Sequence, residues 1–376
     1  PKLMFKSAHA KNSNWETAVQ SCVKQISGGK PDNFGFLYIT EPLSSHLEQV
    51  LDAFRQLTGI EHWVGSVGMG ICTNNQSNGG EYFDEPAIAI MTAQLPNESF
   101  ALFSDTITND SNGKVVEIAA NNFPEGLPFI LAHADSANPQ ILNLVQGLTD
   151  TRDAFVVGGL TSSQKNAHHV SGSVTGGGIS GVMFSPYIEI VTSLSQGCLP
   201  IGKPHRIDKC NGNLITTLDG RRALDVLLEE AGITSSGDAQ NMAGHIHAAL
   251  PVTGSDTGDY LVRNLMGVDE GQGIVAIGAP VNDGDVVMFV RRDADAARHD
   301  LQNSISSLKK RAGNNIKGGI YISCIARGPN MFGNQNAEIN LIRDIIGDIP
   351  IVGMFANGEI SNSRLYTYTS VLNLFI

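Results

Sequence analysis

Arg327 stands at the end of an apolar run, IYISCIARG, immediately before a polar turn that opens a helix. Open α/β sheets place ligands at such strand ends, and a guanidinium fixed there can clamp a carboxylate through two parallel hydrogen bonds. Glu359, in ANGEIS, occupies the corner of the neighbouring strand of the same sequence unit. The two side chains can recognise both ends of a zwitterion, or else pair with each other. Asn357 adds an amide with donors and acceptors, while Gly328, Gly353 and Gly358 let backbone groups come close to a ligand. Arg263, in YLVRNLMG, is a lone cation on an apolar strand and a second candidate to face a ligand. Cys324 is the nearest thiol. Placed mid-strand between Ser323 and Ile325, it reads as a small buried hydrophobe, with nucleophilic chemistry as the alternative.

The N-terminal half offers hydroxyls and glycines at comparable corners: Ser66, then Gly158, Gly159, Thr161 and Ser162, with Asp135 and Ser136 ending a strand. Such residues suit a ligand or plain turn capping. Gly176, Gly178 and Gly181 satisfy GxGxxG, but they lie in a loop entering a strand, whereas a dinucleotide site needs a strand before and a helix after. His168 and His169, and His245 and His247, lack a third ligand at metal-site spacing and read as loop histidines. There is no GxSxG elbow and no Walker loop. No cofactor and no metal are expected.

Three stretches share one order of elements: apolar strand, amphipathic helix, strand running into small residues, and a second apolar strand. The first runs from FGFLYIT through a helix carrying Leu47, Val50, Leu51, Phe54 and Leu57, ended by Gly59, to IEHWVGSVGMGICTNN and PAIAIMTAQL. The second runs from LPFILAHADS through Ile141, Leu142, Val145 and Leu148 to DAFVVGGLTSSQ and GGGISGVMFS. The third runs from IKGGIYISCIARG through Ile339, Ile342, Ile345 and Ile346, ended by Gly347, to DIPIVGMFANGEIS and LYTYTSVLNLFI. Gly65, Gly158, Gly353 and Gly358 mark the recurring corners. Between the second and third copies lie a strand and helix in LITTLDGRRALDVLLEEAG, strands around GIVAIGAP and GDVVMFVRRD, and a helix from Ala294 to about Lys310. The predicted fold is α/β (mixed α+β): two related domains, 1–197 and 198–376, of repeated β-α-β-β units whose mixed sheets are covered by helices.

The 376 residues carry 25 Lys and Arg against 37 Asp and Glu, a net charge of −12. Nucleic-acid binding is thereby disfavoured, since affinity for phosphates needs concentrated cations. The one cationic triplet, Lys309, Lys310 and Arg311, falls where a helix should end and complements its dipole. At 41% hydrophobic and 16% charged residues the composition is that of a globular protein. No apolar run reaches the ~20 residues of a membrane span, and the start, PKLMFKSAHAKNSNW, lacks the apolar core of a secretory signal. Five widely spaced cysteines without a CxxC pair fit reduced thiols. A cytoplasmic setting without membrane insertion follows. Glycine, 41 of 376 residues, exceeds the ~7% average and has no collagen-like period.

QGCLPIG, LDGRRALDVL, YLVRNLMGVD, VMFVRRD, SCIARGPNMFG and GMFANGEISNSRLYTYTSVLNLF, in this order, resemble the FIST family; the first half agrees in EYFDEPAIAIMTAQLP and FVVGGLTSS. The resemblance covers nearly the whole chain and implies an N-terminal and a C-terminal FIST domain. It departs at Gly65, Ser66 and Val67, where family members commonly carry a Cys-Ser pair. It implies a non-enzymatic sensory module, found alone or attached to histidine kinases, chemotaxis receptors, diguanylate cyclases or F-box proteins. Such a module binds a small ligand, an amino acid among the candidates, and reports through a signalling partner, here a separate chain. An interaction scaffold without a ligand, and a thiol enzyme using Cys324, are the alternatives.

Overall fold

The computed structural model describes residues 3–75, 78–105, 123–234, 244–254 and 258–376. Its contacts divide the chain into two units, Pro1–Ser195 with Asp300–Ile376, and Gln196–His299.

Among the described residues the first unit holds three six-stranded mixed sheets of one design. At the centre of each is a parallel pair joined by a helix. In the first sheet Phe34–Thr40 and His62–Gly68 flank helix Leu47–Thr58; in the second, Phe129–Ala134 and Phe155–Leu160 flank Ile141–Arg152. In the third, Gly318–Cys324 and Ile351–Ala356 flank Ala337–Ile346. An antiparallel return strand lies beside the first member of each pair: Ala87–Ala93, Ile179–Phe184 and Ser370–Phe375. These are the three copies legible in the sequence.

Beyond the second member of each pair lies a hairpin that belongs to another copy. Gly70–Asn75 of the first copy pairs with Ile351–Ala356 of the third, Glu359–Ser361 of the third with Phe155–Leu160 of the second, and His168–Ser171 of the second with His62–Gly68 of the first. The exchange is cyclic, so each sheet is completed by a neighbour. The sequence predicts one continuous strand through Gly65 and Cys72; in fact the chain leaves one sheet at Gly68 and enters another at Gly70.

Strand side chains alternate between two buried faces. The inner faces of all three sheets meet in one core, where Phe36, Phe184 and Phe375, one from each sheet, lie with ring centroids 5.5–6.4 Å apart. The outer faces carry the helices: Val50, Leu51 and Phe54 cover the first sheet, Val145 and Leu148 the second, and Ile339 and Ile342 the third.

The expected corner glycines Gly65, Gly158 and Gly353 sit instead within strands, each paired across a parallel register with Leu37, Ala132 or Tyr321. A Cβ at any of them would run into the carbonyl of that partner, so the requirement is close backbone approach. Gly59 and Gly347 do end their helices, with φ of 72° and 100°.

The second unit is built differently. Its strands are all antiparallel, and Val286–Arg292 pairs both with His205–Asn211 and with Ile246–Pro251, closing a ring through Leu214–Leu218, Ile274–Ile277 and Tyr260–Asp269. Helix Ala223–Ala231 packs Leu224 and Leu227 into the same core as Ile207, Ile215 and Phe289. In chain order this unit follows strand Ile190–Ser195, which pairs with Ser370–Phe375 at the edge of the third sheet, and ends within helix Ala294–Ala312. That helix carries Lys309, Lys310 and Arg311 in its last turn, as their charge predicts.

Candidate functional site

The strand Gly318–Cys324 ends in a turn closed by the Arg327 N–H donating to Cys324 O at 2.9 Å. Gly328 then takes φ 59°, ψ −144° and leads into the short helix Pro329–Phe332. A Cβ on Gly328 would come 2.6 Å from the Phe83 ring, so the turn also depends on this glycine for space.

Arg327 is completely buried, and its Nε donates to Glu338 Oε1 at 3.0 Å rather than to Glu359. The same Glu338 oxygen accepts from Tyr321 Oη at 2.6 Å and Ser323 Oγ at 2.7 Å, while Oε2 accepts from Gly328 N at 3.0 Å. Burial works against the Arg327 charge, but the adjacent Glu338 carboxylate outweighs it and holds the guanidinium protonated.

Glu338 is held in turn from another copy. Helix Ala337–Ile346 starts at Asn336, which makes no side-chain cap. Instead Glu81, on the exchanged hairpin of the first copy, accepts from Glu338 N at 3.0 Å, Ile339 N at 3.1 Å and Asn336 N at 2.9 Å. It supplies the orphan donors of that helix with carboxyl oxygens. Burial and the Glu338 charge push the Glu81 carboxyl above its ordinary value, against the three N–H bonds.

Glu359 approaches the same turn from the other side. Its Oε1 accepts from Thr369 N at 3.1 Å and Thr369 Oγ1 at 2.7 Å, and Oε2 has no partner although the side chain is fully buried. Burial pushes its carboxyl up to about 8, opposed by the Thr369 bonds, the Arg327 charge and the Gly358 N–H. Cys324 N donates to Thr369 O at 2.9 Å, and Arg327 Nη1 reaches Tyr368 O at 3.5 Å. Arg327 Nη2 has no partner, and Phe332 stacks beneath the guanidinium at 5.5 Å. Arg327 and Glu359 thus converge on the segment Tyr368–Thr369, each with one uncommitted polar atom. The Cys324 thiol, buried beside them, is pushed up first by burial and then by Glu359.

The cyclic exchange gives Glu359 two counterparts. Ile71, His169 and Glu359 each pair with the residue that follows a close-approach glycine: Met354, Ser66 and Gly159. Ile71 closes its seam with the common core, and His169 shares its Nδ1 with the Ser180 hydroxyl. Nearby Tyr38 Oη lies 2.8 Å from His133 Nε2. Burial lowers His133 to about 3 and His169 to about 4, so both rings are neutral. His168, His169 and His247 lie on strands, not in loops, because their strands pair on both sides.

The remaining sequence candidates spread more widely. Asn357 is exposed where the chain crosses between sheets, its N–H donating to Leu160 O at 3.0 Å. Gly358, at φ 125°, accepts from Leu160 N at 2.9 Å, so these two residues shape the crossing. Gly353 faces the Tyr321 carbonyl within the third sheet. Arg263 belongs to the second unit, half-buried on Tyr260–Asp269, its Nη1 donating to Val262 O at 2.9 Å. Ser162, one of the hydroxyls, links all three copies: it donates to Phe355 O at 2.5 Å and accepts from Met69 N at 2.9 Å. Glu81, Glu338 and Thr369 were not singled out by sequence. Only the acidic first turn at Glu338 carried a local signal.

Residues 33–221 match the FIST N domain and residues 223–362 the FIST C domain, so the chain belongs to the FIST family, whose domains are sensory domains of signal transduction. It is 30% identical over 373 residues to the uncharacterized protein Rv0628c of Mycobacterium tuberculosis, covering 94% of this chain and 93% of that one. It is 29% identical over 344 residues to the uncharacterized protein Mb0898c of Mycobacterium bovis, covering 87% and 86%. Among the described residues no helix is long and apolar enough to cross a membrane.

Proposed function

We propose that this chain is a non-enzymatic sensory module that takes a small zwitterion of the α-amino-acid class between Arg327 and Glu359 and reports its presence to a signalling partner. One observation carries the reading: Arg327 Nη2 and Glu359 Oε2 are both fully buried and both without a partner. Uncompensated buried polar atoms cost free energy. A ligand carboxylate on the free edge of the guanidinium and an ammonium on Glu359 would satisfy both at once. Glu338 keeps its own contacts throughout, so the guanidinium stays positioned with or without ligand.

Entry runs past Tyr368. This residue is half-exposed and holds φ 61°, a costly backbone conformation for a bulky side chain. Displacing it would open the turn and shift the exchanged hairpin that starts at Glu359, which offers a route from ligand to partner surface. Five thiols without a disulfide suit a cytoplasmic setting for such a module.

The test is a thermal-shift and calorimetric screen against the common amino acids. A true ligand at about 100 times its Kd stabilises the protein by about 2.7 kcal/mol. Glu359→Gln, which keeps shape and the Thr369 contacts, weakens it about tenfold or more. No shift with any amino acid rejects the assignment.

A further inference from the structure

Past the end of its first parallel strand, the third copy sets Arg327 over the Phe332 ring, with the Phe83 ring against Gly328. The corresponding place in the first copy is open. There the turn Glu41–His46, the crossing residue Met69, Asp84 and the loop carrying Lys165 enclose a cleft of about 520 Å³. This lies within the ~300–1,000 Å³ of small-molecule sites, and at the carboxyl ends of parallel strands where such sites occur.

The walls come from two copies and are tied together. Glu41 Oε1 accepts from Ser163 Oγ at 2.7 Å, Gln164 N at 2.5 Å and Lys165 N at 2.8 Å, and Asn166 Nδ2 donates to Ser44 Oγ at 3.1 Å. Oε2 of Glu41 takes none of these bonds. Burial pushes the Glu41 carboxyl up, but the Ser163 and backbone hydrogen bonds and the Lys165 charge outweigh it and hold it below its ordinary value. The lining therefore sets two carboxylates, Glu41 and Asp84, against one ammonium, Lys165, with the Ser44 and Ser45 hydroxyls between.

We propose that this cleft is a second binding site, separate from the Arg327 turn, for a small hydroxylated primary amine such as an amino sugar. Its ammonium group is taken by Asp84 and the free oxygen of Glu41. Its hydroxyls are met by Ser45 as donor or acceptor and by Lys165 as donor. The excess of carboxylate selects against neutral sugars, and the preformed walls lower the cost of ordering on binding.

The experiment is a titration of the ¹⁵N-labelled full chain with glucosamine, followed by amide NMR at about pH 6, where an amine of this kind is charged. Glucose and N-acetylglucosamine serve as controls lacking the charge. Saturable shifts confined to residues 41–46, 69, 84 and 163–166 are expected with glucosamine alone. Asp84→Asn should weaken binding about tenfold; asparagine accepts the positive φ of this position, 56°, so the fold is kept. Glu359→Gln should leave these shifts intact, which separates this site from the amino-acid site. Absence of saturable shifts, equal binding of glucose, or indifference to Asp84→Asn overturns the proposal.

Discussion

Arg327 has its Nε edge committed to Glu338 and its Nη2 uncommitted, so replacing it tests two things at once. Arg327→Leu strands the Glu338 carboxylate in the interior and should cost about 3–5 kcal/mol in urea denaturation. Arg327→Leu combined with Glu338→Leu should recover much of that loss, because no buried charge remains. Glu359 behaves oppositely with pH. Its folded-state value, about 8, lies above the unfolded one, so its contribution is fully present below the unfolded value and is lost as pH rises towards 8. Stability of the wild type should therefore fall between about pH 5 and about pH 8 relative to Glu359→Gln, as read by paired urea titrations across that range. Cys324, buried and with its thiol pushed up, should resist iodoacetamide near neutral pH in the folded protein; rapid alkylation would revive the thiol-enzyme reading. The sequence placed Arg327, Glu359 and Cys324 together because they share one copy. It missed Glu81 because that partner lies 257 positions from the amide it caps, and nothing in a local pattern encodes such a distance.

Helix Ala337–Ile346 depends on Glu81 of the exchanged hairpin for the donors of its first turn. Glu81→Ala should cost about 2 kcal/mol, and hydrogen exchange should speed up first at the Glu338 and Ile339 amides. Loss of protection spread evenly over the chain would contradict that local role. The helices and strands were legible from apolar spacing and from Gly59 and Gly347. The exchange was not, because a strand passing from one sheet to another through Gly68 and Gly70 has the same apolar pattern as one running straight on. The mid-strand glycines were visible as a surplus but misplaced, since a close approach to a neighbouring carbonyl depends on a partner strand rather than on local sequence.

For the molecule as a whole, the residues on either side of the second unit are neighbours: Ser195 Oγ donates to Asp300 Oδ2 at 3.1 Å. Replacing Gln196–Asp293 by a glycine linker, which keeps helix Ala294–Ala312 whole, should leave a first unit that folds cooperatively, checked by circular dichroism and gel filtration. By contrast, Phe184→Ala removes one of three rings that bring the sheets together and should cost about 3–5 kcal/mol, lowering the midpoint of the entire first unit in a single transition. The cyclic exchange has one more consequence. A chain with only one such copy would have to assemble with two others by true rotation to complete its sheets, and its three seams would then be identical. Joining the copies covalently removes any dependence on concentration and frees the equivalent positions to diverge. Ile71 can remain a structural seal while Glu359, at the same station of the ring, is free to take the recognition role proposed above.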